Sequence, residues 1–413
     1  MLDRFLRYVR YDTQSDERSA AYPSTEGQLV LLRDLASELR QLGVADAVVD
    51  AHGYVMATVP ATTAKANVPT IGFIAHVDTS PELSGAGVKP IVHRQYDGRD
   101  LVLPDADAVL RLADNPALTQ QLGHDIVTAS GATLLGADNK AGVAEIVTAA
   151  DYLISHPEVP HGTVRIAFTS DEEIGRGTAH FDVERFGAAC AYTMDGGGVG
   201  EVESESFSAD AMTVIFYGFN THPGYAKGRL VNAIKVAADF INRLPADRLS
   251  PETTEGLEGF VHPYVLNAGV ERTAVTLLIR DFQTDGLRVK EASVEALARQ
   301  AVSRHRGARC EVLIEESYRN MKEILDRHPD VVRHAWDAVR RAGLEVRSRP
   351  IRGGTDGSKL SFMGLPTPNI FAGEHNFHSR LEWVSVQDME KAVEVIVNLC
   401  RVWEEASPDA ANA

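Results

Sequence analysis

Four apolar runs, each ending where polar side chains begin, constrain the fold of this 413-residue chain more than any other feature. The runs cover residues 68–75, 163–169, 188–194 and 367–372, and they alternate with helical patterns. Apolar strands that alternate with helices are typical of an α/β domain with a mostly parallel sheet and helices on both faces. Because parallel strands share one carboxyl edge, we expect the polar residues that follow the four runs to converge in space.

A different pattern occupies residues 209 to 317. Strand, helix, strand, strand, helix and strand succeed one another there, which is the split β-α-β-β-α-β order of a ferredoxin-like domain. A helical pattern from Lys322 to Arg341 then resumes the first domain. The sequence therefore predicts a first domain in two parts, residues 1–208 and 318–413, with a second domain inserted at 209–317.

The charge and the cysteine content of the chain limit its possible binding partners and its cellular compartment. The 41 lysines and arginines are outnumbered by 58 aspartates and glutamates, which gives a net charge of −17. Because no basic run offsets this charge, neither nucleic acid nor a membrane is expected as a partner. The first residues are charged rather than continuously apolar, and the three cysteines are widely spaced. We therefore expect a cytoplasmic protein without a disulfide framework.

The residues at the converging strand ends are suited to metal ions. Carboxylates and imidazoles, with no cysteine among them, are ligands for zinc, manganese or cobalt. An acid-rich cluster is unfavourable when it is ionised and empty, and bound cations remove that repulsion. Two divalent ions, three carboxylates and one hydroxide would form a neutral centre. The residues concerned are His76, Asp78, Asp138, Asp171, Glu172, Glu173, Asp195 and His378.

The adjacent Glu172 and Glu173 would give such a centre both a ligand and a base. Neighbouring side chains in a loop point in different directions, so one can coordinate while the other takes a proton from water. In the segment from His76 to Asp78, the aspartate can accept the second imidazole N–H and orient the ring. The combination predicts metal-assisted hydrolysis. Neither G-x-S-x-G nor H-E-x-x-H occurs, which argues against a serine hydrolase and a single-zinc protease.

Seven short motifs, taken in order and spacing, resemble the tripeptide aminopeptidases of the di-zinc aminopeptidase and deacylase family. That family also includes acetylornithine deacetylase and succinyl-diaminopimelate desuccinylase, and the resemblance extends over essentially the whole chain. The motifs are His76-Val-Asp-Thr79, Gly136-Ala-Asp-Asn-Lys-Ala-Gly142, Asp171-Glu-Glu-Ile-Gly175, Met194-Asp-Gly-Gly197, Asn220-Thr-His-Pro-Gly224, Arg352-Gly-Gly-Thr-Asp-Gly357 and the segment around His378.

The resemblance implies a zinc-peptidase-like fold with two zinc ions per subunit, manganese or cobalt being the alternatives. Asp138 would bridge the two ions, and one imidazole and one carboxylate would complete each of them. These further ligands would be His76 and Asp195 for one ion, and Glu173 and His378 for the other.

The resemblance also implies which residues act on the substrate. Glu172 would be the general base, and Asp78 would orient the neighbouring imidazole. His222, on the inserted domain, would help to stabilise the oxyanion. Arg280 and Arg352 would bind a substrate carboxylate, a task that suits guanidinium because it can bind both oxygens at once. The inserted domain would act as a lid, and a lid of this topology often forms a homodimer in relatives.

Three positions depart from the family pattern. Asn139 stands where relatives usually carry a second aspartate, in a peptide link that is typically cis. Ser170 replaces the common proline before the Asp171 motif, and Ser379 replaces the usual glycine after His378. None of these changes removes an implied ligand, so they bear on metal affinity and on the local backbone.

These observations predict a metallo-aminopeptidase that hydrolyses the N-terminal residue from short peptides with a free amino terminus. The preference for tripeptides comes from the resemblance alone. Two alternatives stay open at this point. One is a related dipeptidase, deacylase or carboxypeptidase with the same metal centre, and the other is a catalytically inactive peptide-binding protein that has kept the fold.

Overall fold

The structure is a computed structural model that describes residues 1–409, so the last four residues of the predicted 318–413 segment lie outside it. Two compact units are present. Unit 1 comprises residues 1–204, residues 323–349 and the described residues from Thr355 onward. Unit 2 comprises residues 205–322 together with the short segment 350–354. The sequence predicts 209–317 for the second unit and does not indicate that 350–354 joins it.

Ten α-helices lie within the described part of the chain, and none of them is both long enough and apolar enough to cross a membrane. The helices are α1 (Leu2–Tyr8), α2 (Glu26–Gln41), α3 (Ala137–Ser155), α4 (Val183–Phe186), α5 (Ala233–Ile241), α6 (Thr284–Arg304), α7 (Lys322–Leu325), α8 (Pro329–Arg341), α9 (Asp356–Phe362) and α10 (Val386–Ala406).

Eighteen strands were found among residues 1–409. The strands are β1 (Val48–Val49), β2 (Val55–Val59), β3 (Ile71–His76), β4 (Ile91–His93), β5 (Leu101–Leu103), β6 (Ala108–Leu110), β7 (Ile126–Thr128), β8 (Val164–Thr169), β9 (Cys190–Gly196), β10 (Glu201–Glu203), β11 (Ser208–Tyr217), β12 (Phe260–Ala268), β13 (Arg272–Asp281), β14 (Arg309–Tyr318), β15 (Arg347–Ser348), β16 (Asn369–Phe371), β17 (Glu374–His375) and β18 (Trp383–Ser385).

Unit 1 is built on an eight-stranded sheet with the order β1-β2-β8-β3-β9-β16-β10-β15. Its central strands β8, β3, β9 and β16 run parallel to one another, and they correspond to the four apolar runs. Strand β3 is buried at every position, as expected for a parallel strand covered on both faces. The pairs β1–β2, β2–β8 and β16–β10 are antiparallel. The predicted mostly parallel sheet is confirmed, with antiparallel pairs outside the central four strands.

A second, antiparallel sheet of unit 1 has the order β17-β18-β7-β4. Strands β17 and β18 enclose the loop 376–382, which carries His378. The ring of His375 stacks on Trp383 with centroids 4.0 Å apart, and Trp383 is fully buried. This sheet therefore gives the loop two fixed ends.

Unit 2 contains β11, α5, β12, β13, α6 and β14, which is the predicted β-α-β-β-α-β order. Its sheet has the order β12-β13-β11-β14, and each neighbouring pair is antiparallel. Both helices pack against β11 and β13, where Phe216, Phe240 and Leu277 belong to one buried apolar cluster. The unit therefore has a hydrophobic core of its own.

Helix α3 carries a buried charge-bearing group that apolar packing does not explain. Glu145 is completely buried, and neither of its carboxylate oxygens has a hydrogen-bond partner among the described residues. Burial raises the pKa of Glu145 well above its ordinary value, and the carboxylate of Asp388 adds to this effect. The folded chain therefore binds a proton at Glu145 more tightly than the unfolded chain does.

We predict that Glu145→Gln removes a pH-dependent loss of stability. The raised pKa means that the folded state loses stability as pH rises above the ordinary value of 4.5, by up to about 1.4 kcal/mol per pH unit. The difference in Tm between variant and wild type should therefore grow in favour of the variant from about pH 5 to about pH 8. The exposed Glu394→Gln serves as the control, and a difference that does not change with pH would contradict the prediction.

Candidate metal centre

The carboxyl ends of the parallel strands bring the predicted ligands of unit 1 together. His76 is the last residue of β3, and Asp195 is the penultimate residue of β9. Glu173 follows β8, and His378 lies in the loop between β17 and β18, after β16. Asp138 comes from the first turn of α3 instead. The convergence of strand ends expected from the sequence is thus observed within one unit.

Asp138 lies at the centre of this cluster because each of its oxygens faces a different histidine. Its Oδ1 is 3.0 Å from His76 Nε2, and its Oδ2 is 3.3 Å from His378 Nε2. His76 Nε2 is also 3.3 Å from Asp195 Oδ1, and His378 Nε2 is 2.8 Å from Glu173 Oε2. The five side chains therefore form two imidazole–carboxylate pairs that share Asp138.

The pKa shifts in this cluster show how strongly its charges depend on one another. Burial raises the pKa of Glu173 to about 8 and also raises that of Asp195. Burial acts in the same direction on Asp138, but hydrogen bonds with His378 and His76 outweigh it and lower the pKa of that carboxyl. Hydrogen bonds with Asp138 and Glu173 raise the pKa of His378 to about 11. Burial lowers the pKa of His76, but its carboxylate neighbours reverse the effect and raise it well above the ordinary value.

The donor set fits divalent metal ions. Atoms of His76, Asp138 and Glu173 that can coordinate a metal all lie within 4.8 Å of one another. Imidazole nitrogens and carboxylate oxygens are ligands of zinc, manganese and cobalt, and cations would replace the protons that otherwise balance the cluster. The arrangement can therefore hold two ions, one on each side of the Asp138 carboxylate.

The backbone at the start of α3 turns Asp138 out of the helix. Asp138 and Asn139 have non-helical dihedral angles and are joined by a cis peptide bond. Gly142 lets the helix approach β9 closely, because a Cβ atom there would lie 2.0 Å from the carbonyl oxygen of Met194. Asn139 is fully buried, and its side-chain amide has no hydrogen-bond partner among the described residues. This residue stands where the family pattern has an aspartate.

Glu382 holds the Asp138 segment in place, a role that the sequence did not predict. Its Oε2 accepts hydrogen bonds from the N–H groups of Leu135, at 2.7 Å, and Gly136, at 2.9 Å. Its Oε1 accepts one from the N–H of Asp138 at 3.0 Å. Burial raises the pKa of Glu382 to about 7, although these three N–H groups favour the charged form. Glu382 is 244 to 247 residues away from its partners in the sequence, and no local pattern connects them.

Asp78 connects two strand ends. His76 Nδ1 lies 3.1 Å from the backbone carbonyl oxygen of Asp78 and 3.3 Å from its Oδ1. The same Oδ1 accepts the N–H of Glu172 at 3.0 Å. Its Oδ2 accepts the N–H of Glu173 at 3.1 Å. Asp78 is fully buried, so these interactions are shielded from water. Asp78 therefore contacts both the ring of His76 and the loop that carries the two glutamates.

Asp171 faces away from the cluster, which the sequence did not predict. Its carboxylate accepts hydrogen bonds from the N–H of Ser24 at 2.7 Å and from Gln28 Nε2 at 2.7 Å. The residue has a positive φ of 59° and is fully buried. Asp171 therefore anchors the loop after β8 to the start of α2 and to the residue Ser24 before it.

Ser379 stabilises the turn around His378. Its hydroxyl donates to the carbonyl oxygen of Asn376 at 2.8 Å and accepts the N–H of Leu381 at 3.1 Å. Asn376 and His378 both have a φ of 56°, in the left-handed region. Ser170, the other serine that departs from the family pattern, is fully buried, and its hydroxyl has no partner among the described residues.

The remaining predicted residues belong to unit 2. His222 is exposed, and its Nδ1 accepts a backbone N–H two residues later at 3.1 Å. Arg280 Nη1 donates to the carbonyl oxygen of Arg352 at 3.0 Å, so the structure brings the two arginines together. The guanidinium of Arg352 donates to backbone oxygens of the loop 254–258 at 2.7 to 3.3 Å. Both guanidinium groups lie over the ring of Phe260, within 6.0 Å of its centroid.

We predict that Glu382→Ala weakens metal binding although it changes no ligand. Three buried N–H groups would lose their acceptor, and the Asp138 segment would lose its position. The Kd for zinc, measured by competition with a chromophoric chelator, should rise about 10- to 100-fold. Glu382→Gln keeps one acceptor oxygen and should lose less affinity, and the exposed Glu394→Ala is the control. Unchanged affinity in a folded Glu382→Ala protein would contradict the prediction.

Comparison with known proteins identifies relatives over almost the whole chain. Residues 130–402 match the model described as peptidase family M20/M25/M40. The chain is 49% identical over 406 residues to peptidase T of Geobacillus thermodenitrificans (strain NG80-2). It is 48% identical over 404 residues to peptidase T of Clostridium botulinum (strain Hall). Each alignment covers 98% of this chain and 98% of the relative.

Solved structures share the fold. The aminopeptidase PepT of Bacillus cereus ATCC 10987 superposes with a TM-score of 0.74 at 24% identity, and a tripeptidase of Staphylococcus aureus Mu50 with 0.76 at 21%. A Bacillus subtilis protein described as a dinuclear metal binding peptidase has a TM-score of 0.67 at 14% identity. Each comparison covers 98% of both chains. Since a family model matches most of its residues and full-length relatives are almost half identical to it, the chain is a peptidase that belongs to family M20/M25/M40.

Proposed function

We propose that this peptidase removes the N-terminal residue from short peptides, above all tripeptides, at a centre of two divalent metal ions. The observation that carries the proposal is the division of the Asp138 oxygens between His76 and His378, each of which has its own further carboxylate. The full-length relatives are named peptidase T, and similar structures are described as an aminopeptidase and a tripeptidase. These names support an activity on tripeptides.

We assign the metal ligands as two sets around the shared Asp138. His76 and Asp195 would hold one ion, and Glu173 and His378 the other. Zinc is the metal proposed, with manganese or cobalt as alternatives. A cytoplasmic location is also proposed for the protein. When bound, two such ions lower the pKa of water and polarise the scissile carbonyl.

Glu172 is the general base in this proposal. It adjoins the ligand Glu173 without belonging to either imidazole–carboxylate pair. Burial raises the pKa of Glu172 well above its ordinary value, which favours a group that takes a proton from water and passes it to the leaving amine. Asp78 positions this base, because it holds the backbone of Glu172 and the ring of His76 at once.

Residues of unit 2 would act on the rest of the substrate. His222 is proposed to help stabilise the oxyanion, and Arg280 and Arg352 to bind the carboxylate at the far end of the peptide. Arg280 has donors to spare, since its buried Nε has no partner among the described residues. Arg352 already donates to backbone oxygens of the loop 254–258, and it would bind the substrate carboxylate together with Arg280. The homodimer implied by the family resemblance stays a prediction.

Membership of a peptidase family disfavours the inactive peptide-binding protein. A dipeptidase, deacylase or carboxypeptidase would use the same metal centre and differ in the groups that read the ends of the substrate. Substrate comparison therefore decides among them.

We predict that Glu172→Gln and Glu173→Ala fail in different ways. Glu172→Gln should lower kcat by at least about 100-fold while the chain keeps two metal ions, because only the proton carrier is lost. Glu173→Ala should lose metal, because a ligand is removed. Elemental analysis of both dialysed proteins, together with tripeptide hydrolysis, measures the difference. A near-normal rate for Glu172→Gln would refute its role as the base.

A substrate panel tests the proposed function itself. Metal-free protein is reloaded with zinc, manganese or cobalt and given a tripeptide, a dipeptide, an N-acetylated tripeptide, an N-acetylated amino acid and a tripeptide with an amidated carboxyl end. The free tripeptide should be hydrolysed fastest, and amidation should cost about 10- to 100-fold in kcat/KM because it removes a charged partner of arginine. Preference for an N-acetylated substrate would overturn the aminopeptidase assignment.

A further inference from the structure

Glu374 is a buried carboxylate beside the metal centre that the proposed mechanism does not use. It is 1% exposed, and its Oε2 has no hydrogen-bond partner among the described residues. One of its oxygens lies within 4.8 Å of an oxygen of Asp138 and an oxygen of Asp195. Glu374 is the first residue of β17 and pairs with Val384 of β18, so a strand rather than a loop holds it. Its side chain therefore faces the cluster from a fixed position.

Glu374 also lines a cavity of about 560 Å³ in unit 1. Gly197 and Gly198, which follow Asp195 in the chain, form part of the wall, and so does Phe377, which precedes His378. The chain segments that carry two of the proposed metal ligands therefore form part of the cavity wall. Its volume is within the range of sites for small ligands.

The other carboxylate of the cavity is already compensated. Glu201 Oε1 lies 3.1 Å from Arg349 Nη1, and Glu201 Oε2 accepts the N–H of Gly198 at 3.2 Å. Glu374 forms no ion pair with any basic side chain of residues 1–409. It is therefore the lining carboxylate that a cationic ligand would satisfy.

A peptide with a free amino terminus carries such a cation at a fixed distance from the reacting bond. One carbon atom separates its ammonium nitrogen from the scissile carbonyl carbon, so the nitrogen lies about 2.5 Å from that carbon. When the carbonyl is at the metal centre, the ammonium must lie beside the ligands, which is where Glu374 lies. An N-acylated peptide has a neutral amide at the same place.

We propose that Glu374 binds the α-ammonium group of the substrate and that the cavity receives the side chain of the N-terminal residue. This inference rests on the proposed aminopeptidase function and names the residue that distinguishes a free amino terminus from an acylated one. Glu374 is thus a specificity-determining residue and neither a metal ligand nor the general base. Arg347 and Arg349 also line the cavity, but neither forms an ion pair with Glu374, so the Glu374 carboxylate is left for the charge-assisted hydrogen bond with the ammonium group.

The test combines Glu374→Gln with two substrates that differ only in the amine. Leu-Gly-Gly is compared with its desamino analogue, 4-methylpentanoyl-Gly-Gly, which is used as a competitive inhibitor. Glu374→Gln should lower kcat/KM for Leu-Gly-Gly about 10- to 100-fold, because a charged hydrogen-bond partner is lost. The Ki of the desamino analogue should change less than about twofold. Elemental analysis should still find two metal ions per chain.

Glu145→Gln is the matched control, because it also neutralises a buried glutamate without hydrogen-bond partners but does not line the cavity. It should leave both constants unchanged. An equal loss for both compounds, an unchanged kcat/KM for Leu-Gly-Gly, or loss of metal in Glu374→Gln would each overturn the inference. A wild-type preference for N-acetylated peptides would instead overturn the proposed function, and the inference with it.

Discussion

The repulsion among partly buried carboxylates gathered at one sheet edge is the constraint on which the rest of the site depends. Parallel strands deliver Asp195 and Glu173 to the same place, and α3 adds Asp138 between them. Such groups cannot all be ionised at short range unless positive charge lies among them. The two imidazoles supply part of it, at 2.8 to 3.3 Å from the carboxylates. Two divalent ions would supply the remainder, and the symmetry of the cluster about Asp138 explains why there should be two.

Holding this cluster together requires anchors that act on the backbone. Glu382 fixes the segment before Asp138 through three N–H groups, and Asp78 fixes the loop of Glu172 and Glu173 through two. Each anchor joins segments that are far apart in the chain. Because both carboxylates are buried, the loss of either would leave unsatisfied N–H groups inside the protein. The positions of the ligands therefore depend on these residues as much as on the strands.

The central strands and the β-α-β-β-α-β order were predictable because apolar runs and turns are local signals. The convergence of His76, Asp195 and Glu173 followed from the geometry of parallel strands. The positions of Glu374 and Glu382 were not predictable, since each lies near residues that only the tertiary structure brings close. For the same reason, the sequence did not indicate that Asp171 faces Ser24 or that Arg352 donates to the loop 254–258.

Metal stoichiometry with and without the shared carboxylate tests the central claim most directly. Metal-free wild type and Asp138→Ala are titrated with zinc, and bound metal is measured by elemental analysis after equilibrium dialysis. We expect two ions per chain for the wild type and loss of tight binding at both positions in the variant, because one side chain serves both. Two ions retained by a folded Asp138→Ala protein, or fewer than one bound by the wild type, would contradict it.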